Sequence, residues 1–151
     1  MAIVEFINQP NRSYTGMRRV LNYVMNPEKT RETLVSGIGI NPKNAYQEMV
    51  TLKQLMGKAD KRLWYHFVQS FAPYDNVTPE LAHQIAKKTA EYFKGQYQIV
   101  IATHIDKAHI HTHFVLNTVN IETGRKYTQN NAQRLEIQAL SDSICNKHGL
   151  S

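Results

Sequence analysis

The strongest constraint on this sequence is a dense run of histidines in its second half, which holds four of the seven in the chain. Residues 97–103, just before the run, are apolar and β-branched, a composition that predicts a buried strand. Residues 110–117 alternate in polarity, so on a strand His111 and His113 share one face. On a helix, positions two apart lie on nearly opposite sides. The pattern therefore predicts a second strand that carries a pair of histidines able to share one ligand.

A hairpin turn across residues 106–108 would bring His104, at the end of the first strand, beside His111 and His113. Three imidazoles on adjacent antiparallel strands leave positions open on a metal ion, which is the layout of a catalytic site. A structural zinc site is disfavoured because Cys145 is the only cysteine. A histidine-rich surface strand is the alternative, and it explains several histidines on one face less well. The sequence therefore predicts an open metal site.

Residues 104–117, with the letters HIDKAHIHTHFVLN, closely resemble the metal-binding motif of conjugative relaxases of the MobA/VirD2 type, in the HUH endonuclease superfamily. The spacing of the histidines and the trailing Phe-Val-Leu-Asn make the resemblance specific. It implies that His104, His111 and His113 bind a divalent metal ion. The family works with manganese or magnesium, and the sequence does not choose between them.

Three more residues of this motif are candidates with alternatives left open. His109 lies nearer the turn and is a further ligand, a group that supports a ligand, or a contact to DNA. Asp106 would orient a ligating imidazole or act as a general base, and a turn-forming aspartate is the alternative. Asn117 would position a sugar or phosphate, or else make a hydrogen bond on the sheet face.

Residues 20–30, with the letters VLNYVMNPEKT, resemble the relaxase segment that carries the nucleophilic tyrosine. Matched residue by residue, the resemblance places the nucleophile at Tyr23 and puts Lys29 at a basic position that follows it. Helical spacing of apolar residues predicts a helix over residues 13–25, with Tyr23 on the flank of its buried side. Tyr14 is the reserve candidate for the nucleophile.

Contacts to DNA are predicted from a second resemblance and from charge. Residues 65–73 resemble a relaxase segment in which Ser70 has a matching place, and an ordinary strand hydrogen bond is the alternative role. His66 shares a strand face with Ser70 and has the same two alternatives. His83, on a predicted helix, is expected in or beside a solvated face. The candidate phosphate contacts are Arg18, Arg19, Lys29, Arg125 and Lys126.

Length and composition limit the class of protein. The 151 residues fit one domain, with no internal repeat or linker. A net charge of +6 favours a polyanionic partner. A single cysteine excludes an internal disulfide and favours the reducing bacterial cytoplasm, and no apolar run reaches membrane length. Since relaxases usually continue past the nuclease region, residues 1–151 are expected to be a relaxase domain at the N-terminus of a longer protein.

The order of predicted elements is strand, helix, strand, helix, strand, helix, a two-stranded hairpin and a final helix, with the second strand over residues 33–40. This order predicts an α+β two-layer sandwich with a mainly antiparallel sheet of about five strands. The histidine face is expected on one side of the sheet and the helices on the other. The same order agrees with the HUH relaxase fold, so the resemblance covers nearly the whole chain.

The resemblance implies a specific function: strand-specific nicking at an origin of transfer, through a 5′-phosphotyrosine at Tyr23, with later rejoining. The expected partners are single-stranded or hairpin DNA, an accessory DNA-binding protein and the coupling protein of a type IV secretion system. Three alternatives remain. They are an HUH rolling-circle replication initiator, a DNA-hairpin-binding module that does not cut, and an unrelated metal hydrolase that uses water.

Overall fold

The framework of the protein, in a computed structural model that describes residues 2–150, is a five-stranded sheet. The strands are β1 (Ala2–Phe6), β2 (Val35–Ile38), β3 (Trp64–Phe71), β4 (Tyr97–His104) and β5 (His111–Asn120). Their spatial order is β1-β3-β5-β4-β2, and every neighbouring pair is antiparallel. The predicted α+β class and five-stranded antiparallel sheet are confirmed. The β4–β5 hairpin, which carries the histidine run, lies at the centre of the sheet.

Four α-helices and three short 3-10 turns connect the strands. The helices are α1 (Tyr14–Val24), α2 (Ala45–Leu55), α3 (Pro79–Thr89) and α4 (Asn131–Lys147). The 3-10 turns are Glu32–Leu34, Pro42–Asn44 and Ala90–Phe93. The predicted strand over residues 33–40 is shorter than expected, because the turn at Glu32–Leu34 precedes it and Gly39 adopts a positive φ of 65° after it.

Helices cover both faces of the sheet, which differs from the expected two layers. On the histidine face, Val100 and Val115 belong to the same apolar cluster as Met17 and Leu21 of α1. On the opposite face, the central aromatic and aliphatic side chains form a second core beneath α3 and α4. The reason is that the central strands are apolar on both sides, so each face needs a cover. The histidines occupy the part of their face that lies beside the C-terminal end of α1.

His83 of α3 is buried against the sheet, so the expectation that it lies in or beside a solvated face is wrong. Its side chain is 5% exposed. Its Nε2 lies 2.7 Å from Ser36 Oγ, and its Nδ1 lies 2.9 Å from Thr103 Oγ1. The Thr103 hydroxyl in turn meets the Thr112 hydroxyl at 2.9 Å. This polar network links α3 to three strands, on the face of the sheet opposite His104, His111 and His113.

His83 makes the stability of the fold dependent on pH. Burial, with a smaller effect of Lys87, lowers the pKa of His83 to about 4. As the pH falls from about 6.5 towards 4, the unfolded chain therefore binds a proton that the folded chain does not, and the free energy of unfolding decreases. We expect the wild-type protein to lose about 1 to 2 kcal/mol more than His83→Asn between pH 7 and pH 5, measured by urea unfolding. Equal losses in the two proteins would contradict this role.

Candidate active site

Three of the predicted metal ligands come together on the central hairpin. His104 and His111 are register partners across β4 and β5, and His113 follows two residues later on the same face. The His104 and His113 rings lie 4.0 Å apart between centroids. A fourth imidazole, His66 of β3, lies beside His113, with 5.1 Å between ring centroids. The alternation and the hairpin predicted from the sequence therefore place His104, His111 and His113 next to one another, and the pairing of β3 with β5 adds His66.

Each of the three histidines uses one ring nitrogen in a hydrogen bond and leaves the other available. His104 Nε2–H donates to the Val24 carbonyl at 2.9 Å, and His111 Nδ1–H donates to the His109 carbonyl at 3.1 Å. His113 Nδ1 is 2.9 Å from Nε2 of His66. Histidines that bind metals are commonly oriented in this way.

The chemistry of this donor set fits a divalent ion, although the side chains do not form a closed shell. Burial, with smaller effects of His104 and His66, lowers the pKa of His113 to about 2, and burial also lowers the pKa of His104. Both imidazoles are therefore neutral at pH 7, which is the form that binds metals. Within residues 2–150, no three His, Cys, Asp or Glu side chains already converge as a metal cage.

Tyr23 lies at the edge of this histidine cluster. It occupies the last turn of α1, and its side chain is 44% exposed. Its ring approaches those of His104 and His113 edge-on, with centroid distances of 5.6 and 5.7 Å. The next residue, Val24, is buried and accepts the hydrogen bond from His104. The end of α1 therefore positions Tyr23 and one candidate ligand together.

A loop after α1 brings a lysine onto the tyrosine. Lys29 Nζ lies 5.2 Å from the centroid of the Tyr23 ring and 3.2 Å from Asp106 Oδ2. The Lys29 carbonyl also accepts a hydrogen bond from the backbone N–H of Ile105 at 2.7 Å. Desolvation raises the pKa of Asp106, but the hydrogen bond from Lys29 and the neighbouring charges outweigh it and lower this pKa overall. Asp106 is therefore ionised and weakly basic, and its observed contact holds Lys29 beside Tyr23.

His109 and Tyr14 contribute less directly to this geometry than the other candidates. The His109 side chain is exposed in the hairpin turn, and its backbone carbonyl is what holds the His111 ring. The Tyr14 hydroxyl donates to the Ala59 carbonyl, at the opposite end of α1. Nine residues of helix separate Tyr14 from Tyr23, a rise of about 13 Å. Tyr14 therefore lies away from the histidine cluster.

Asn117 is fully buried and is not accessible to a sugar or phosphate. Its Oδ1 accepts a hydrogen bond from Lys53 Nζ at 2.6 Å, and its Nδ2 donates to Gln98 Oε1 at 2.9 Å. The alternative role, a hydrogen bond on the sheet face, describes it correctly. Lys53 was not predicted from the sequence and is itself fully buried, with its pKa lowered to about 7 by burial. Its position one residue after Leu52 and four after Met49, on the apolar side of α2, was the available signal.

The predicted DNA contacts fall into two groups. Near the histidines, Arg19 lines a cavity with Tyr23, and Ser70 is the register partner of His111 and is partly exposed. The second group is remote. Arg18 packs over the Tyr46 ring, with 4.3 Å from its Cζ to the centroid. Arg125 and Lys126 follow the other end of β5, about 20 Å along the strand from the histidines.

The cavity beside Tyr23 has a volume of about 600 Å³. Arg19 and His113 contribute to its walls, and Ile7, Gln9, Pro10 and Ser13, from the connection between β1 and α1, form one side. Two of its lining residues, Trp64 and His66, each carry a buried ring nitrogen that has no hydrogen-bond partner among residues 2–150. The strand face of His66 could be predicted from the sequence, but its contact with His113 could not.

No helix within residues 2–150 is long and apolar enough to cross a membrane.

The chain is similar in sequence to proteins named as relaxases. The chain is 34% identical over 148 residues to the group II intron-interrupted relaxase LtrB of Lactococcus lactis subsp. cremoris, which covers 80% of this chain and 26% of LtrB. It is 38% identical over 133 residues to a protein named Rlx of Staphylococcus aureus, which covers 88% of this chain and 41% of Rlx. The chain therefore spans about a quarter to two fifths of the length of these relatives.

A solved structure described as the molecular basis of vancomycin resistance transfer in Staphylococcus aureus has the same fold. It matches with a TM-score of 0.62 over 99% of this chain and 95% of that chain, at 11% sequence identity. The family described as the nuclease domain of MobA/VirD2-like relaxases matches residues 23–150, a range that begins at the tyrosine and includes all the histidines discussed above. The chain therefore belongs to the MobA/VirD2-like relaxase family and contains its nuclease domain.

Proposed function

We propose that this chain nicks one strand of DNA at an origin of transfer, as the nuclease domain of a conjugative relaxase that mobilises a plasmid or an integrative element. The observation that carries the proposal is the position of Tyr23, whose ring lies edge-on to His104 and His113. In this proposal Tyr23 is the nucleophile, and its neighbours are neutral imidazoles on a chain of the relaxase family.

In the proposed reaction, the Tyr23 hydroxyl oxygen attacks the scissile phosphorus. A bond forms between this oxygen and phosphorus, the tyrosine proton passes to a base or to solvent, and the 3′-oxygen of the preceding nucleotide leaves as a hydroxyl. The product is a 5′-phosphotyrosine, which keeps a phosphodiester bond, so the reverse attack by a 3′-hydroxyl rejoins the strand. A phenol is a weak nucleophile at neutral pH, so the reaction also needs positive charge near the phosphate that it attacks. Lys29, whose Nζ lies 5.2 Å from the centroid of the Tyr23 ring, would supply such charge.

The residues that would hold a divalent ion, manganese or magnesium, are His104, His111 and His113. Such an ion, when bound, supplies Lewis-acid neutralisation of charge at the scissile phosphate. Asp106 would keep Lys29 beside Tyr23 through the observed 3.2 Å contact. Its lowered pKa makes the role of general base less favourable.

The proposed substrate is single-stranded or hairpin DNA. One end of the DNA strand would lie on the face of the sheet that carries His104, His111 and His113. Arg19 lines the cavity beside Tyr23, Lys29 lies against the Tyr23 ring, and Ser70 pairs with His111, so these three would contact phosphates of the bound strand. His109 is exposed in the hairpin turn. Arg125 and Lys126 would contact only a more distant part of a bound DNA. An accessory DNA-binding protein, a coupling protein of a type IV secretion system and a location in the bacterial cytoplasm belong to the same proposal.

A replication initiator of the HUH superfamily is the nearest alternative. The position of the tyrosine distinguishes the two classes, because such initiators usually carry it after the histidine pair along the chain. Here Tyr23 lies on the first helix, far before the histidines in sequence. This order favours the relaxase.

A gel assay tests the proposed function. Labelled single-stranded oligonucleotides that tile the DNA around the gene would be incubated with the protein and Mn²⁺ or Mg²⁺, with and without EDTA. We expect one oligonucleotide to be cleaved and to form a protein–DNA adduct that survives denaturation and is lost with EDTA. Cleavage without an adduct would indicate a hydrolase that uses water. Tight binding without cleavage would leave a DNA-binding module.

A further inference from the structure

We propose that His66 is a positioning residue that fixes the tautomer of His113, so that Nε2 of His113 keeps a free lone pair for the metal ion. This inference rests on the proposed function, because it assigns a role to His66 in the same site. The contact on which it depends joins two buried rings on neighbouring strands, and each ring carries only one proton when it is neutral.

The sheet register brings the two rings together. His113 is the register partner of Val68, and His66 lies two residues before Val68 on the same face of β3. His66 is 6% exposed and His113 is 9% exposed. Nε2 of His66 lies 2.9 Å from Nδ1 of His113. Their ring planes are tilted by 32°. The pair is therefore held by the backbone pairing of β3 and β5 as well as by its own hydrogen bond.

Proton counting leaves two arrangements for this pair. In the first, Nε2–H of His66 donates to Nδ1 of His113. The proton of His113 is then on Nε2, where it prevents this nitrogen from binding a cation. In the second, Nδ1–H of His113 donates to His66, and Nε2 of His113 has its lone pair free. Only the second arrangement is compatible with a metal at Nε2 of His113. In both arrangements Nδ1 of His66 is buried without a partner among residues 2–150: in the first it is an unpaired acceptor, and in the second it is an unpaired N–H donor.

The other two candidate ligands, His104 and His111, are also oriented by a hydrogen bond from one ring nitrogen. Val24 accepts the Nε2 proton of His104, and His109 accepts the Nδ1 proton of His111, each through a backbone carbonyl. A carbonyl can only accept, so these two tautomers are fixed by the main chain. His113 is the exception, since its partner is a side chain that can donate or accept. His66 is therefore the one orienting group of the three that a substitution can remove.

The experiment compares His66→Leu, which removes the acceptor, with His66→Gln, whose amide oxygen can replace it. Mn²⁺ binding to the DNA-free protein would be measured by calorimetry. We expect Leu to weaken binding roughly 10- to 100-fold and Gln to stay within about 3-fold of wild type. His83→Leu is the matched control, because it also removes a buried histidine but on the opposite face of the sheet. It should bind Mn²⁺ as the wild type does.

A second readout does not depend on the metal. Long-range ¹H–¹⁵N spectra of the histidine rings in the metal-free protein report which nitrogen carries the proton. We expect His113 to be protonated on Nδ1 in the wild type and in His66→Gln, and to shift toward Nε2 in His66→Leu. Protonation on Nε2 in the wild type would overturn the proposal, as would equal Mn²⁺ affinities of the Leu and Gln variants. If the wild type binds no Mn²⁺, the metal assignment fails, and the spectra still decide the role of His66.

Discussion

Tyr23→Phe is expected to abolish the covalent protein–DNA adduct and to lower strand cleavage by at least about 10³-fold, because it removes the oxygen that attacks phosphorus. The substitution keeps the aromatic ring, so the edge-on contacts with His104 and His113 remain possible. The side chain is 44% exposed, and the core of α1 does not depend on its hydroxyl. Thermal stability and DNA affinity should therefore stay close to those of the wild type.

Tyr14→Phe is the matched control for this prediction. Tyr14 is on the same helix, but its hydroxyl donates to the Ala59 carbonyl, and burial raises its pKa. The loss of this hydroxyl should leave adduct formation within a few-fold of wild type. An adduct that persists in Tyr23→Phe and disappears in Tyr14→Phe would move the nucleophile to Tyr14. Both proteins would be compared on denaturing gels with the same labelled oligonucleotide.

The second large effect is expected for His104→Ala. It removes a candidate metal ligand and also the hydrogen bond to the Val24 carbonyl, next to the nucleophile. We expect Mn²⁺ affinity and metal-dependent cleavage each to fall by at least about 10²-fold. Calorimetry on the DNA-free protein measures the first loss, and single-turnover cleavage measures the second.

His109→Ala is the comparison that isolates the role of His104. In the structure, His109 holds His111 through its backbone carbonyl, which alanine retains, and its own ring is exposed. Mn²⁺ affinity should therefore change by no more than a few-fold. If His109→Ala lost as much affinity as His104→Ala, His109 would belong to the ligand set, and the assignment of three ligands would be wrong.

The features that could be predicted from the sequence are those set by neighbours along the chain. The alternation around His111 and His113 and the short turn before them define the β4–β5 hairpin, and local order alone places His104 beside them. Helical periodicity likewise placed Tyr23 on the flank of α1. The five-stranded antiparallel sheet followed from the order of these elements.

The remaining features depend on contacts between segments far apart in sequence. The contact of His66 with His113 requires the register of β3 against β5, which no local pattern specifies. The buried Asn117 of β5 accepts a hydrogen bond from Lys53 of α2, a residue whose charge suggests a surface position. His83 was misplaced for the same reason, since its partners are on β2 and β4. Charge alone also could not separate Arg19, beside the cavity, from Lys126, at the far end of β5.

The central claim, that Tyr23 is the nucleophile, is tested most directly by locating the DNA on the protein. The adduct formed with the cleaved oligonucleotide would be digested with nuclease and trypsin, and its peptides analysed by mass spectrometry. Cleavage after Arg19 and Lys29 gives a peptide of residues 20–29 in which Tyr23 is the only tyrosine, whereas Tyr14 lies in residues 13–18. We predict a nucleotide phosphate on the peptide of residues 20–29, at Tyr23. A modification on residues 13–18 or on a histidine peptide would contradict the claim.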